Sequence, residues 1–405
     1  MSKPTPSPTS SAAASVPAAS GAVPAKPGRL LSLDAFRGMT IAAMILVNNA
    51  GDWGHVFAPL NHAEWHGCTA TDLIFPFFLF IVGVSMTFSF ARRMGQDGAF
   101  EELVPQIYRR TILLLALGLG LQLIIFKAAP WVEHYRFAGV LQRIALCYFF
   151  TAFIMLGSSW REQAAWAVGL LLLYYALMKF VPVPGYGAGV LDMNGNLASW
   201  LDNFVFGQRC YHFDEKTGMG HDLEGLLSTL PAISTTLSGV LAGHWLRRRD
   251  TDGNEKVAGL ATAGFFLLVL GALWRYDFPY NKNLWTSSYV LHTSGWAMLT
   301  LGVCYWIIDV KGYKAWSKPF VVYGTNAIAA YVGASAMAYT TIWIHWKSGD
   351  KVVFLKTWVY THGFRSWIEP LEGPYVSSAA YGTAYVLIWL GLMTILYRKK
   401  IFIKV

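Results

Sequence analysis

The sequence predicts an all-α protein, a polytopic membrane helix bundle of about 10 transmembrane helices with N- and C-termini cytoplasmic. Three observations lead there. Of 405 residues, 55% are hydrophobic and 14% charged, where an ordinary soluble domain carries about 25% charged residues; mean hydropathy is +0.39. Aromatic residues reach 15%, with 17 Trp, as in a chain that anchors many helix ends at two bilayer interfaces. Apolar stretches near the length needed to cross a bilayer recur from the first third of the chain to its end.

The net charge of +9 does not indicate nucleic acid. The basic residues sit in short loops between apolar spans and form no stripe, so the expected partner is the lipid bilayer. Four cysteines are too few and too scattered for a disulfide framework or a zinc site. Cys147 and Cys304 fall inside spans. Cys68 and Cys210 both fall on the outer side, which leaves a bridge between them open.

In chain order, residues 1–28 are rich in Ser, Pro and Ala, and carry only Lys3 and Lys26 as charges. Without an apolar core they read as a disordered cytoplasmic tail and not as a cleaved signal peptide. Residues 29–405 form the transmembrane domain. Its spans are predicted at 34–52, 70–91, 109–127, 139–158, 163–182, 224–246, 257–275, 286–309, 319–343 and 377–397. Runs such as Arg92–Arg93, Arg109–Arg110, Arg247–Arg249 and Arg398–Lys400 lie on one side and set that side as cytoplasmic. The long outer loops near 183–223 and 344–376 hold aromatic and polar residues. No fixed-period repeat stands out.

Ionisable and amide side chains inside spans are costly in hydrocarbon, so they are the candidates for function. Asp34 and Arg37 lie three apart on one face at the inner start of the first span; an interfacial ion pair is the bland alternative. Asn48 and Asn49 stand near its outer end. The loop that follows holds His55, His62, Glu64 and His66, with no Lys or Arg. Asp72 opens the second span, either as a helix cap or in a second role. Gln142 and Arg143 sit about a turn below the outer surface; an arginine there needs a carboxylate, an anion or water. His221, Asp222 and Glu224 lead the sixth span, where capping would account for Glu224. Asn281, Lys282 and Asn283 precede the eighth span, His292 lies within it, and Asn326 lies within the ninth. His292 and Asn326 also suit plain inter-helix hydrogen bonding. The His55, His62 and His66 spacing raises a metal site, but no Cys partner or supporting shell accompanies it, so no metal is expected.

The stretches SLDAFRGMTIAAMILVNN and HAEWHGCTATDLIFPFFLFIVGVSM carry a family resemblance, continued in GVLQRIALCY, EGLLSTLPAISTTLSGVLAG, NKNLWTSSYV, YGTNAIAAYV and YRKKIF. Together they resemble the heparan-alpha-glucosaminide N-acetyltransferase family, in order from about residue 30 to 405, including its bacterial transmembrane glucosamine N-acetyltransferases. The resemblance implies acetyl transfer from cytoplasmic acetyl-CoA to the amine of a terminal glucosamine across the membrane. It implies that His62, in HAEWHG, is the active histidine and that Asn48 belongs to the site. Two departures stand out: His66 replaces the family's Asn after Trp65, and Ala138 and Leu223 replace prolines.

Aminolysis of a thioester needs a neutral amine, a proton acceptor and donors to the developing oxyanion. On this reading His62 is the base, Asn48 donates to the thioester oxygen, and Asp72 or Glu64 orients the imidazole or binds the sugar ammonium. Trp65, Arg143, Glu224, Asn281, Lys282 and Asn326 are the remaining candidates for the acceptor side. Arg37 with Asp34 is the candidate for the donor's nucleotide end. A covalent acetyl-His62 intermediate is the competing route. A sugar or anion transporter would use buried polar groups equally well, and a membrane acyltransferase with a different glycan acceptor is the second alternative. The expected setting is a bacterial inner (cytoplasmic) membrane, and the resemblance makes a homodimer plausible.

Overall fold

Each long apolar run folds as a helix, since a segment surrounded by lipid must satisfy its backbone N–H and C=O groups internally. The structure, a computed structural model, describes residues 30–91, 93–94 and 98–403; the tail predicted at 1–28, Arg92 and Lys404 lie outside them. In order the helices are α1 (Leu31–Val47), α2 (Ile74–Phe90, entered through a 3-10 turn at Thr71–Leu73), α3 (Ala99–Ala128), α4 (Val140–Gly157) and α5 (Trp160–Phe180). Then come α6 (Leu197–Phe206), α7 (Thr229–Arg247), α8 (Gly253–Trp274), α9 (Ser287–Tyr305), α10 (Lys318–Thr325) and α11 (Ala327–Trp343). The chain ends with α12 (Leu355–Tyr360), α13 (Ser366–Glu372) and α14 (Pro374–Arg398). Two hairpins, β1 (His212–Asp214) with β2 (Met219–His221) and β3 (His345–Ser348) with β4 (Lys351–Phe354), lie in the two long loops.

Seven of these helices are long and apolar enough to cross a membrane, and the bent pair α10 and α11 makes up to eight. The other two predicted spans correspond to α1 and α7. α1 has only 17 residues and carries Asp34 and Arg37. α7 carries Ser234, Thr235 and Thr236, all buried against protein. A helix enclosed by other helices does not need an apolar surface, so hydropathy is a weak guide at the centre of a bundle. The periphery differs: the spanning window of α2 is 67% buried, that of α8 only 17%.

Three predicted boundaries shift. The span expected at 319–343 is two helices that meet at 83°. The break falls at Asn326, whose backbone leaves the helix and whose side chain donates to the Ile401 carbonyl (3.0 Å) and accepts from the Ile403 amide (2.8 Å). α3 begins at Ala99, well before the apolar run, because a polar first turn with Glu101 and Glu102 extends it. α7 begins at Thr229, so Glu224 lies in the preceding loop and not in a helical first turn.

Close helix approach holds the centre together. Lipid offers no hydrophobic drive for helices to associate, so van der Waals contact between small residues supplies it. A Cβ on Gly83 of α2 would meet the Thr236 carbonyl oxygen of α7 at 1.9 Å, and one on Gly239 of α7 would meet that of Phe80 at 2.0 Å. α1 and α10 interlock the same way through Gly38 and Gly324.

Candidate active site

The loop between α1 and α2 folds back over the start of α2, and Asp72 is what it folds around. One carboxylate oxygen of Asp72 accepts from the backbone amides of Ala63 (3.1 Å) and Thr69 (3.0 Å) and from the Thr69 hydroxyl (3.1 Å). The other lies 2.6 Å from His62 Nδ1. The Thr71 hydroxyl donates to the Pro59 carbonyl (3.1 Å), pinning the loop from below. From α9, the Tyr289 hydroxyl donates to the backbone carbonyl of Asp72 at 2.6 Å. The Asp72 side chain is 1% exposed and that of His62 47% exposed. A buried carboxylate thus grips one nitrogen of an accessible imidazole.

That geometry assigns the tautomer. With the carboxylate at Nδ1, the ring proton sits there and the lone pair is left on Nε2. Such an imidazole can take a proton at Nε2, and the carboxylate then stabilises the imidazolium.

Lys282 completes the cluster from the other half of the chain. Its Nζ lies 3.0 Å from His62 Nδ1, 3.3 Å from Nε2 and 3.6 Å from the nearer Asp72 oxygen. Burial pushes the Lys282 ammonium below the usual lysine range, against the pull of Asp72 and Glu224. Asn281, fully buried, builds the turn that presents it: its backbone amide donates to the Thr286 hydroxyl (3.1 Å) and its side-chain oxygen accepts from the Leu284 amide (2.8 Å). The Asn281 amide nitrogen also lies 3.4 Å from His66 Nδ1. Burial lowers the His66 pKa as well.

The other residues singled out in the sequence take varied places. Glu64 is exposed. Trp65 donates its indole N–H to the Leu191 carbonyl (2.9 Å) and meets His221 edge-on, tying the first loop to the 183–223 loop. Asn48 is the C-cap residue of α1 with an exposed side chain, and no hydrogen bond links it to His62 among the described residues. Arg143 is buried over the Trp285 ring, 5.2 Å to its centroid. It donates to the Gly225 carbonyl (2.8 Å) and the Ser228 hydroxyl, while its buried Nε and Nη1 have no hydrogen-bond partner among the described residues. Asn326 is occupied with the C-terminal segment. Arg37 donates to Asp34 (3.1 Å), the Ser85 hydroxyl (2.5 Å) and the Gly324 carbonyl (3.3 Å).

Sequence reasoning passed over Arg136. Its guanidinium chelates Asp222 and reaches Glu224, and it stacks over Tyr211. The signal was available: HDLEG brings two carboxylates with no basic neighbour, so their partner had to come from another loop. Asp202 and Tyr289 were also missed. Burial raises the Asp202 carboxyl to about 7, and burial lowers His221 to about 4. Cys68 and Cys210 are free thiols, each pushed up to about 12 by burial. Among the described residues no group of three His, Cys, Asp or Glu side chains converges as a metal site would require.

Comparison with known proteins gives a family and two relatives. A family model described as "Heparan-alpha-glucosaminide N-acetyltransferase, catalytic" matches residues 29–276. Heparan-alpha-glucosaminide N-acetyltransferase of Homo sapiens is 30% identical over 436 aligned residues, covering 94% of this chain and 60% of that protein. The Mus musculus protein of the same name is 28% identical over 428, covering 93% and 60%. The chain therefore spans about 60% of the length of the curated relatives it matches.

Proposed function

This chain belongs to the heparan-alpha-glucosaminide N-acetyltransferase family, and from that premise we propose that it is a membrane N-acetyltransferase that moves acetyl from cytoplasmic acetyl-CoA to the amine of glucosamine or a terminal glucosaminide on the outer side. The observation that carries the reading is the 2.6 Å contact between His62 Nδ1 and a buried Asp72 carboxylate. It supports an Nε2 lone pair that takes the proton of the attacking amine as the C–N bond forms. Asp72 orients the ring and balances the imidazolium; Lys282 lines the same opening. Asn48, exposed at the end of α1, is the donor assigned to the thioester oxygen. Trp65, Glu224 and Arg143 shape the acceptor side, with Arg136 holding Glu224 in place.

The reading also takes ten spans, with α1 and α7 as the two protein-enclosed ones and both termini cytoplasmic. Ser85, which contacts Arg37, lies 13 residues from Asp72 along the 3-10 turn and α2, or about 20 Å at helical rise. The nucleotide end of acetyl-CoA would rest near Arg37 and Asp34, and its extended arm would cover that distance to His62.

The test is glucosamine-dependent release of free thiol from acetyl-CoA by detergent-purified protein, with the acetylated sugar identified by mass. Both products appearing together supports the reading. Uptake of an amino sugar into vesicles without thiol release would favour a transporter instead. Thiol release with other glycans but not glucosamine would keep the acyl transfer and change the acceptor.

A further inference from the structure

We propose that Lys282 is a self-acetylation site: its Nζ, 3.3 Å from His62 Nε2, is the amine that takes the acetyl group when no amino sugar occupies the acceptor side. The proposal rests on the acetyl-transfer reading above. Any acceptor amine that gives its proton to Nε2 must come within hydrogen-bond reach of it. Lys282 Nζ is a primary amine already at about that distance, the same functional group as the amine of an amino sugar.

Its placement is built and not incidental. The turn Asn281–Thr286 is closed by the Trp285 amide donating to the Lys282 carbonyl (3.2 Å) and the Thr286 amide donating to the Asn281 carbonyl (3.2 Å). Asn281 and Thr286 are fully buried, so the backbone beneath Lys282 is fixed. The side chain is 20% exposed, open enough for a thioester that must itself approach His62. Burial lowers the Lys282 pKa, which raises the share of free amine, and only the free amine attacks.

The step balances without another reactant. The Nζ lone pair adds to the thioester carbonyl carbon, a C–N bond forms and the C–S bond breaks. The Nζ proton passes to Nε2 and then to the departing thiolate, giving acetyl-lysine and free CoA thiol. The product replaces a cation against Asp72 with a neutral acetamide, in the space an acceptor amine needs. The acetylated molecule is therefore inactive, and abundant donor without acceptor switches the enzyme off.

The test uses the full chain in detergent with isotopically labelled acetyl-CoA and no amino sugar, followed by peptide mapping. In parallel, the same preparation is assayed for glucosamine-dependent thiol release. The expected result is one acetyl group on Lys282 that survives hydroxylamine, is lost in His62→Ala and in Lys282→Arg, and is suppressed by glucosamine. Transferase activity should fall in proportion to the labelled fraction. Glucosamine acetylation with Lys282 unlabelled would overturn self-acetylation and leave the transfer reading standing. Label removed by hydroxylamine would place the acetyl group on a side chain other than a lysine amine and also overturn it. Neither transfer nor label would overturn both.

Discussion

At the end of the bundle that holds His62, the polar side chains come from loops, and the imidazole is 47% exposed. At the end that holds Arg37, they come from helices locked by glycine contacts. There Arg37 bridges Asp34, Ser85 and Gly324, while Asn326 clamps the C-terminal segment. The first arrangement presents a reactive nitrogen to whatever enters. The second holds α1, α2 and α10 in register and leaves less of its polar surface free. On the proposed function, chemistry belongs to the first end and scaffold, with the donor's nucleotide, to the second.

The comparison can be broken most sharply at Asp72. Asp72→Asn keeps the shape but offers Nδ1 an amide, so kcat for acetyl transfer should fall by about 10²–10⁴-fold. Steady-state kinetics on protein that still elutes as a single species would check it; unchanged kcat would reduce Asp72 to a turn-former. Gly324→Ala probes the other end, since its Cβ would lie 2.0 Å from the Asp34 carbonyl oxygen. Overpacking of that kind costs about 1–3 kcal/mol. A thermal melt should drop while the pH profile of the surviving activity stays put.

A smaller effect is expected at Asp202, whose carboxyl burial raises from 3.8 to about 7. The folded state holds that proton more tightly than the unfolded chain, so stability is lost as pH rises from about 4 through 7. Asp202→Asn removes the titration and keeps an oxygen for the Leu226 amide, now 2.8 Å from the carboxylate. Its Tm relative to wild type should therefore rise between pH 5 and pH 8. The smallest effect belongs to Glu64→Ala. An exposed side chain in this position should change kcat/KM by no more than about twofold; a larger loss would extend the reactive cluster beyond Asp72.

Helical character was legible throughout, because a bilayer-length apolar run has few alternatives. The break at Asn326 was not, since one amide inside YGTNAIAAYV looks like a tolerated polar residue until the C-terminal segment is seen to bond it. The hairpins in the two long loops were equally hidden. The sequence names His62, Asp72 and Lys282 separately, yet their contact depends on one loop folding back on α2 and on a turn 220 residues away. The Arg136 bridge was half legible: HDLEG shows two carboxylates in need of a partner, but not which loop supplies it.

The central claim is that His62 receives the acceptor's proton, and one comparison addresses it directly. Glucosamine-dependent thiol release from acetyl-CoA should be measured for wild type and His62→Ala, both shown to be folded by thermal melting in detergent. The account predicts robust release by wild type and a loss of about 10²-fold or more in the variant. A folded His62→Ala protein with wild-type activity would contradict it.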